Sequence, residues 1–111
     1  MKCCSVAALN GAEFEFVHHV PHLLAAGGTQ AQAYALRNLA ATASDALLFD
    51  DGERAVLQLT LEMTRDVKVA DATFDRARRA LGSTQMVVEL VATIAAYNMV
   101  SRFLVALDVQ P

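Results

Sequence analysis

An all-α fold is what this sequence predicts, and three observations carry the expectation. Helix-forming residues, alanine above all, are abundant, while the 111 residues hold only 5 Gly and 2 Pro, a balance that favours helices joined by short turns. Apolar residues recur three and four positions apart in one segment after another, and no stretch alternates apolar and polar residues as a half-buried strand would. The last third, MVVELVATIAAYNMVSRFLVAL, runs as one long apolar pattern without a breaker. A chain of this length holds one core, so residues 1–111 are read as a single domain.

The elements follow in order. Asn10, followed three residues later by Glu13, has the form of a capping box with Asn10 as N-cap, so a helix is predicted to start at Gly11 and run toward Ala26. Gly27-Gly28 stops it, and Pro21, which has no N–H for the carbonyl four residues earlier, kinks or divides it. A short helix follows Thr29 through AQAYALRNL. ATASDALLFDDGE is a connection, and Asp50 with Glu53 repeats the cap signature ahead of AVLQLTLEMTRDVKV, where Val56, Leu59, Met63 and Val67 mark one apolar stripe. Asp71 is the expected cap of ATFDRARRAL, whose Arg76, Arg78 and Arg79 sit toward the end where positive charge suits the helix dipole, and Gly82 closes it. The final helix starts at Ser83 or Thr84 and is apolar round most of its circumference, which places it at the centre of the fold. Glu89, Asn98 and Arg102 interrupt it at intervals, which argues for a buried helix of a soluble protein over a membrane span.

Composition narrows the function. Hydrophobic residues make up 55% and charged residues 19%, more apolar surface than a small monomer can hide, so association with a second copy is expected. The net charge of −3, with scattered Lys and Arg and no Trp, provides no basic stripe, and nucleic acid is not an expected partner. MKCCSVAALNG is too short for a spanning helix and lacks the order of a signal peptide, which reads as a cytoplasmic protein. Cys3 and Cys4, the only cysteines, form neither a disulfide framework nor a C-x-x-C motif and read as small buried hydrophobes.

Chemistry concentrates in AEFEFVHHVPH, Ala12 to His22, which holds every histidine of the chain. At 100° per residue Glu15, His18, His19 and His22 share one arc, with Phe16, Val17, Val20 and Leu24 opposite. A solvated helix face gives this pattern. A metal reading is available too, since Glu15-x-x-His18 is the spacing of di-iron bundles and His18 with His22 suits zinc, but Glu62 and Glu89 carry no histidine three places on. The third reading is acid–base chemistry: Glu15 and His19, one turn apart, can share a hydrogen bond that fixes the imidazole tautomer.

NGAEFEFVHHVPHLLAAG, followed later by TRDVKVADATFDRARRALGSTQMVVELVATIAAYNMVSRFLVALDV, resembles the carboxymuconolactone decarboxylase-like proteins, relatives of alkylhydroperoxidase D. The likeness covers nearly the whole chain and implies a small helical bundle of that type, assembled as a dimer, trimer or hexamer. In the peroxidase branch the early turn reads C-x-x-C-x-x-x-H, and here its two cysteine positions fall on Ala12 and Glu15 and its histidine on His19. The redox pair is gone, and Cys3 and Cys4 lie two to three turns too early to replace it. What remains is Glu15 with His19, as in the decarboxylase branch, where an acid and a histidine act on a lactone acid by proton transfer without metal or organic cofactor. The resemblance therefore implies a cofactor-free lyase acting on a small carboxylated or lactone-like substrate. A peroxiredoxin-type antioxidant and a non-catalytic oligomeric domain with a decayed site are the alternatives. Tyr97 and Asn98 are candidate hydrogen-bonding partners of that substrate and Arg102 a partner for its carboxylate, against the plainer reading that Arg102 pairs with Glu89 or with a neighbouring subunit. Relatives carry R-E-L just before V-A-A-L-N-G, and its glutamate falls immediately before Met1, so the likeness implies a chain that lacks the usual N-terminal segment.

Overall fold

The computed structural model describes residues 2–39 and 44–110; within them the chain forms six α-helices and no strand. They are α1 (Lys2–Leu9), α2 (Glu13–Ala25), α3 (Gln30–Leu36), α4 (Asp51–Arg65), α5 (Asp71–Leu81) and α6 (Thr84–Ala106). The radius of gyration, 13.3 Å, matches the roughly 13 Å expected of a compact domain of this length.

The centre of the bundle is α1, which sequence periodicity did not single out. It touches α2, α3, α4 and α6, and Cys4, Ser5, Val6 and Ala7 are each fully buried. Its side chains divide the interior. Cys4 and Ala7 join Phe16, Leu23, Leu36, Phe49 and Leu57 in one cluster, while Val6 joins Leu59, Ala77, Leu90 and Ile94 in the other. Small side chains let four helices approach an eight-residue rod from all sides.

The expected start of a helix at Gly11 is corrected: Asn10-Gly11 ends α1. Gly11 adopts φ +66°, and the N–H of Ala12 returns to the carbonyl of Ala7 at 2.8 Å, the C-terminal closure that favours glycine in the left-handed region. Asn10 therefore caps nothing downstream, the N-cap of α2 is Ala12 without a side-chain bond, and Glu13 pairs with Arg37 instead, at 2.9 and 3.0 Å. Asn-Gly serves a helix end as readily as a start, and the buried run before it decides which.

Pro21 does not divide α2, which continues to Ala25; proline lies on the exposed side, and it has no N–H to give the carbonyl of Val17. Gly27-Gly28 does end it, with the N–H of Gly28 bonded to the carbonyl of Leu23 at 2.9 Å. A Cβ on Gly28 would stand 2.6 Å from Leu23 Cδ1, so only glycine fits. Thr29 and Gln32 form a capping box on α3, and Asp50 and Glu53 form the expected one on α4. Residues 41–43 of the expected connection lie outside the described residues.

Helix α4 stops at Arg65, so Val67 leaves the predicted stripe: it sits at φ +65° and is 80% exposed. Asp71 is the first residue of α5 rather than its cap. The cap comes from α4, where Glu62 accepts from the N–H of Ala70 at 2.9 Å and from Thr73 Oγ1 at 2.5 Å. Gly82 closes α5 in the left-handed conformation and Ser83 caps α6.

The largest correction concerns α6, which is not central. Val87, Leu90, Ile94, Asn98 and Ser101 are buried along one stripe, while Met86, Val88, Met99, Phe103, Val105 and Leu107 remain exposed. By length and composition α6 is apolar enough to cross a membrane; it packs only one side on the bundle.

Candidate functional site

Helices α2 and α6 run antiparallel and meet in two rungs, each one helical turn from the next. In the first, Ser101 Oγ donates to Glu15 Oε2 at 2.5 Å, between groups that are 0% and 2% exposed. In the second, the ring of His19 meets that of Tyr97 edge to face, with centroids 5.3 Å apart. The carboxylate is thus sealed at the helix seam, and the imidazole one turn on is half-buried.

The polar arc drawn from the helical wheel divides accordingly. Glu15 lies inside beside Phe16 and Leu23, so the seam falls between the two arcs rather than along the apolar one. His18 and His22 are exposed. His18 stacks on Phe14 at 4.2 Å, and its Nδ1 lies 2.8 Å from the carbonyl of Phe14; a carbonyl only accepts, so the proton is on Nδ1. His22 lies 5.8 Å from His19, centroid to centroid. Glu15 and His18 diverge, and among the described residues no group of three or more His, Cys, Asp or Glu side chains is placed to hold a metal ion. The hydrogen bond expected between Glu15 and His19 is not what joins these helices: Glu15 turns to Ser101 and His19 to Tyr97.

Asn98 and Arg102 form a second group. Asn98 Oδ1 accepts from Asn10 Nδ2 at 3.0 Å and Arg102 Nη1 at 2.5 Å, while its Nδ2 donates to Thr64 Oγ1 and to the carbonyl of Ile94, both at 3.0 Å. A primary amide accepts two hydrogen bonds and donates two. All four are used inside the protein, so Asn98 is a tie between α4, α6 and the α1–α2 turn and has nothing left for a substrate. Arg102 does not pair with Glu89, which accepts from Gln85. Its Nη1 is held by the side chain and carbonyl of Asn98, which leaves the Nε and Nη2 edge, the edge that binds carboxylates in bidentate fashion. Arg102 leaves α6 about 100° round from Ser101, on the side of Asn10 and Thr64.

Of the five residues picked from sequence, the structure therefore joins His19 to Tyr97 and Asn98 to Arg102, and gives Glu15 a partner that sequence did not suggest. The signal for Ser101 was present: a serine one turn after Tyr97, inside an apolar helix, needs a polar partner. Thr64 and Asn10 carried no comparable mark.

Charge is set locally at two places. The hydrogen bond from Arg37 holds the Glu13 carboxyl below the usual carboxylate range against a small opposing effect of burial, and raises Arg37 in turn. At Glu62 burial pushes upward, but the hydrogen bonds from Thr73, the Ala70 N–H and Gln58 together outweigh it and leave the carboxyl below the usual range. Ala12 and Glu15 are both buried, and Cys4 is sealed in the core. No protein-family model, no curated protein and no solved structure matches the chain.

Proposed function

We propose that this chain is a carboxymuconolactone decarboxylase-like protein of the alkylhydroperoxidase D type, a homo-oligomeric cytoplasmic protein that performs cofactor-free acid–base chemistry on a small carboxylated or lactone-like substrate. The observation that carries the reading is the pair of rungs on the α2–α6 seam: a buried carboxylate held by Ser101, and one turn away the half-buried His19 against Tyr97. Glu15 is the fixed charge, His19 the group that takes up or delivers the proton, and Tyr97 the wall that orients the imidazole. A carboxylate on the substrate has the Nε and Nη2 edge of Arg102 as a candidate partner. Neither nucleic acid nor a membrane is part of the proposal.

The thiol antioxidant reading is weaker, because a nucleophilic cysteine needs access and a lowered pKa, and Cys4 is 0% exposed. A non-catalytic domain with a decayed site has one observation in its favour: Glu15 is 2% exposed, sealed as a structural carboxylate would be.

The test is turnover of a panel of γ-lactone carboxylic acids, followed by carbon dioxide release. Glu15→Gln and His19→Gln should each slow it at least about 100-fold, and Cys4→Ala should leave it unchanged. Release that survives both substitutions would sink the acid–base reading, and no release from any lactone would leave the non-catalytic domain. A peroxide reduction rate lost in the Cys3→Ser, Cys4→Ser variant would restore the antioxidant.

A further inference from the structure

The face of α6 turned away from the bundle is a continuous apolar strip. With successive residues 100° apart, Val88, Ala92, Ala95, Ala96, Met99 and Phe103 fall on the arc opposite Leu90, Ile94 and Ser101. All six are exposed, Val88 at 61%, Met99 at 68% and Phe103 at 63%. Their sizes are graded: valine and alanines fill the N-terminal half, methionine and phenylalanine the C-terminal half. The positions are also symmetric about the Ala95–Ala96 peptide, with Val88 and Phe103 equally far on either side, and likewise Ala92 and Met99.

We infer that this strip is an interface with a second copy of the chain, in which two α6 helices lie antiparallel and cross at Ala95 and Ala96. The occupant follows from the size gradient. An antiparallel copy sets Phe103 over Val88, Met99 over Ala92 and alanine over alanine at the crossing, so that large side chains fill the space left by small ones. A parallel copy stacks phenylalanine on phenylalanine and leaves a gap between facing alanines. The complement of the strip is thus the strip read backwards, the self-complementary surface of a two-fold dimer.

The dimensions suit a dimer. A helix of 23 residues is about 34 Å long and roughly 10 Å across, and a partner along it covers several hundred Å², near the roughly 800 Å² per partner of a standard interface. Lipid is a poorer occupant, because Glu89 and Arg102 flank the strip on its two sides and both would enter the bilayer with it. The inference gives a surface to the self-association proposed above and does not depend on the acid–base reading.

The test uses the full chain with Cys3→Ser and Cys4→Ala as background. Within one α6 positions 88 and 103 are about 22 Å apart, far beyond the reach of a disulfide. V88C and F103C placed together should therefore oxidise to a covalent dimer in which peptide mapping joins position 88 of one chain to position 103 of the other. Each substitution alone should give at least about ten-fold less dimer, and A96C alone should link to itself. In the parent chain light scattering should give twice the chain mass, and Phe103→Gln, with helical circular dichroism unchanged, should halve it. A monomeric parent chain, self-links at V88C and at F103C, or a Phe103→Gln mass unchanged from the parent would each overturn the proposal. So would a parent chain that stays monomeric in solution and floats with phosphatidylcholine vesicles.

Discussion

Helices α1 and α6 are both apolar, and the bundle treats them in opposite ways. Four helices pack on α1 and leave Cys4 to Ala7 fully buried, whereas the 23 residues of α6 are buried along one stripe and bare along the other. Hydrophobicity asks for cover but does not say where the cover comes from. Cys4, Ser5, Val6 and Ala7 are small enough for neighbours to close on every side. The outer face of α6 bears Val88, Met99 and Phe103, and of the other helices α2, α3 and α4 are already engaged around α1. The lesson is that the more apolar segment is not the more central one: the position of a helix depends on how many partners can reach it.

The sharpest way to break the comparison is to place a charge on each helix. Ala7→Asp puts a carboxylate where exposure is 0% and both clusters lie within reach; burying an unpaired charge should cost about 4 kcal/mol or more, enough to abolish cooperative thermal unfolding followed by circular dichroism. Phe103→Asp, on a residue 63% exposed, should change the stability of the isolated chain by no more than about 0.5 kcal/mol. Similar losses in the two variants would mean that α1 is not the hub.

A second comparison lies within α6 itself, between its two faces. Asn98→Ala removes one group and strands the side chains of Asn10, Thr64 and Arg102 together. Because Thr64 is buried, its lost partner is not replaced freely by water, and the loss should be about 2 kcal/mol in denaturant unfolding. Met99→Ala, next along the chain but on the outer face, should change the stability of the isolated chain by well under 1 kcal/mol. Equal effects would mean that the amide contributes only its helix propensity.

The contrast also explains what sequence revealed. The all-α class, the Asp50–Glu53 box, the Gly82 stop and the Ser83 start were legible because each depends on residues within one turn of each other. The role of α1 was not, since a short run of small residues has no amphipathic period when it is buried on all sides. The same limit hid the cap of α5, supplied by Glu62 from eight residues upstream of Ala70, and the tie from Asn10 to Asn98 across 88 positions. In AEFEFVHHVPH the helical wheel groups Glu15 with the three histidines, and it could not show the buried Ser101 on α6 that takes up the carboxylate. His19 is half-buried while His18 and His22 are exposed, a separation that one-turn spacing from Glu15 anticipates.

A smaller effect than that of Asn98→Ala is expected at a joint that belongs to neither α1 nor the bare face of α6. Glu62 links α4 to the start of α5, accepting from Gln58, Ala70 and Thr73. Those hydrogen bonds outweigh burial and hold its carboxyl below the ordinary value of 4.5. A carboxyl whose folded pKa is lowered binds its proton more readily when unfolded, so its stabilising contribution is complete above 4.5 and disappears as pH falls through the lower folded value. Glu62→Gln keeps the shape and removes the charge. At pH 7 the wild-type chain should be the more stable by about 1 kcal/mol, a modest figure because the carboxylate is partly solvated. As pH drops below 4.5 the two unfolding curves should converge, whatever other carboxyls do, because those are common to both proteins. A gap that stays constant from neutral pH down to pH 3 would mean that the charge on Glu62 contributes nothing and that shape alone joins α4 to α5.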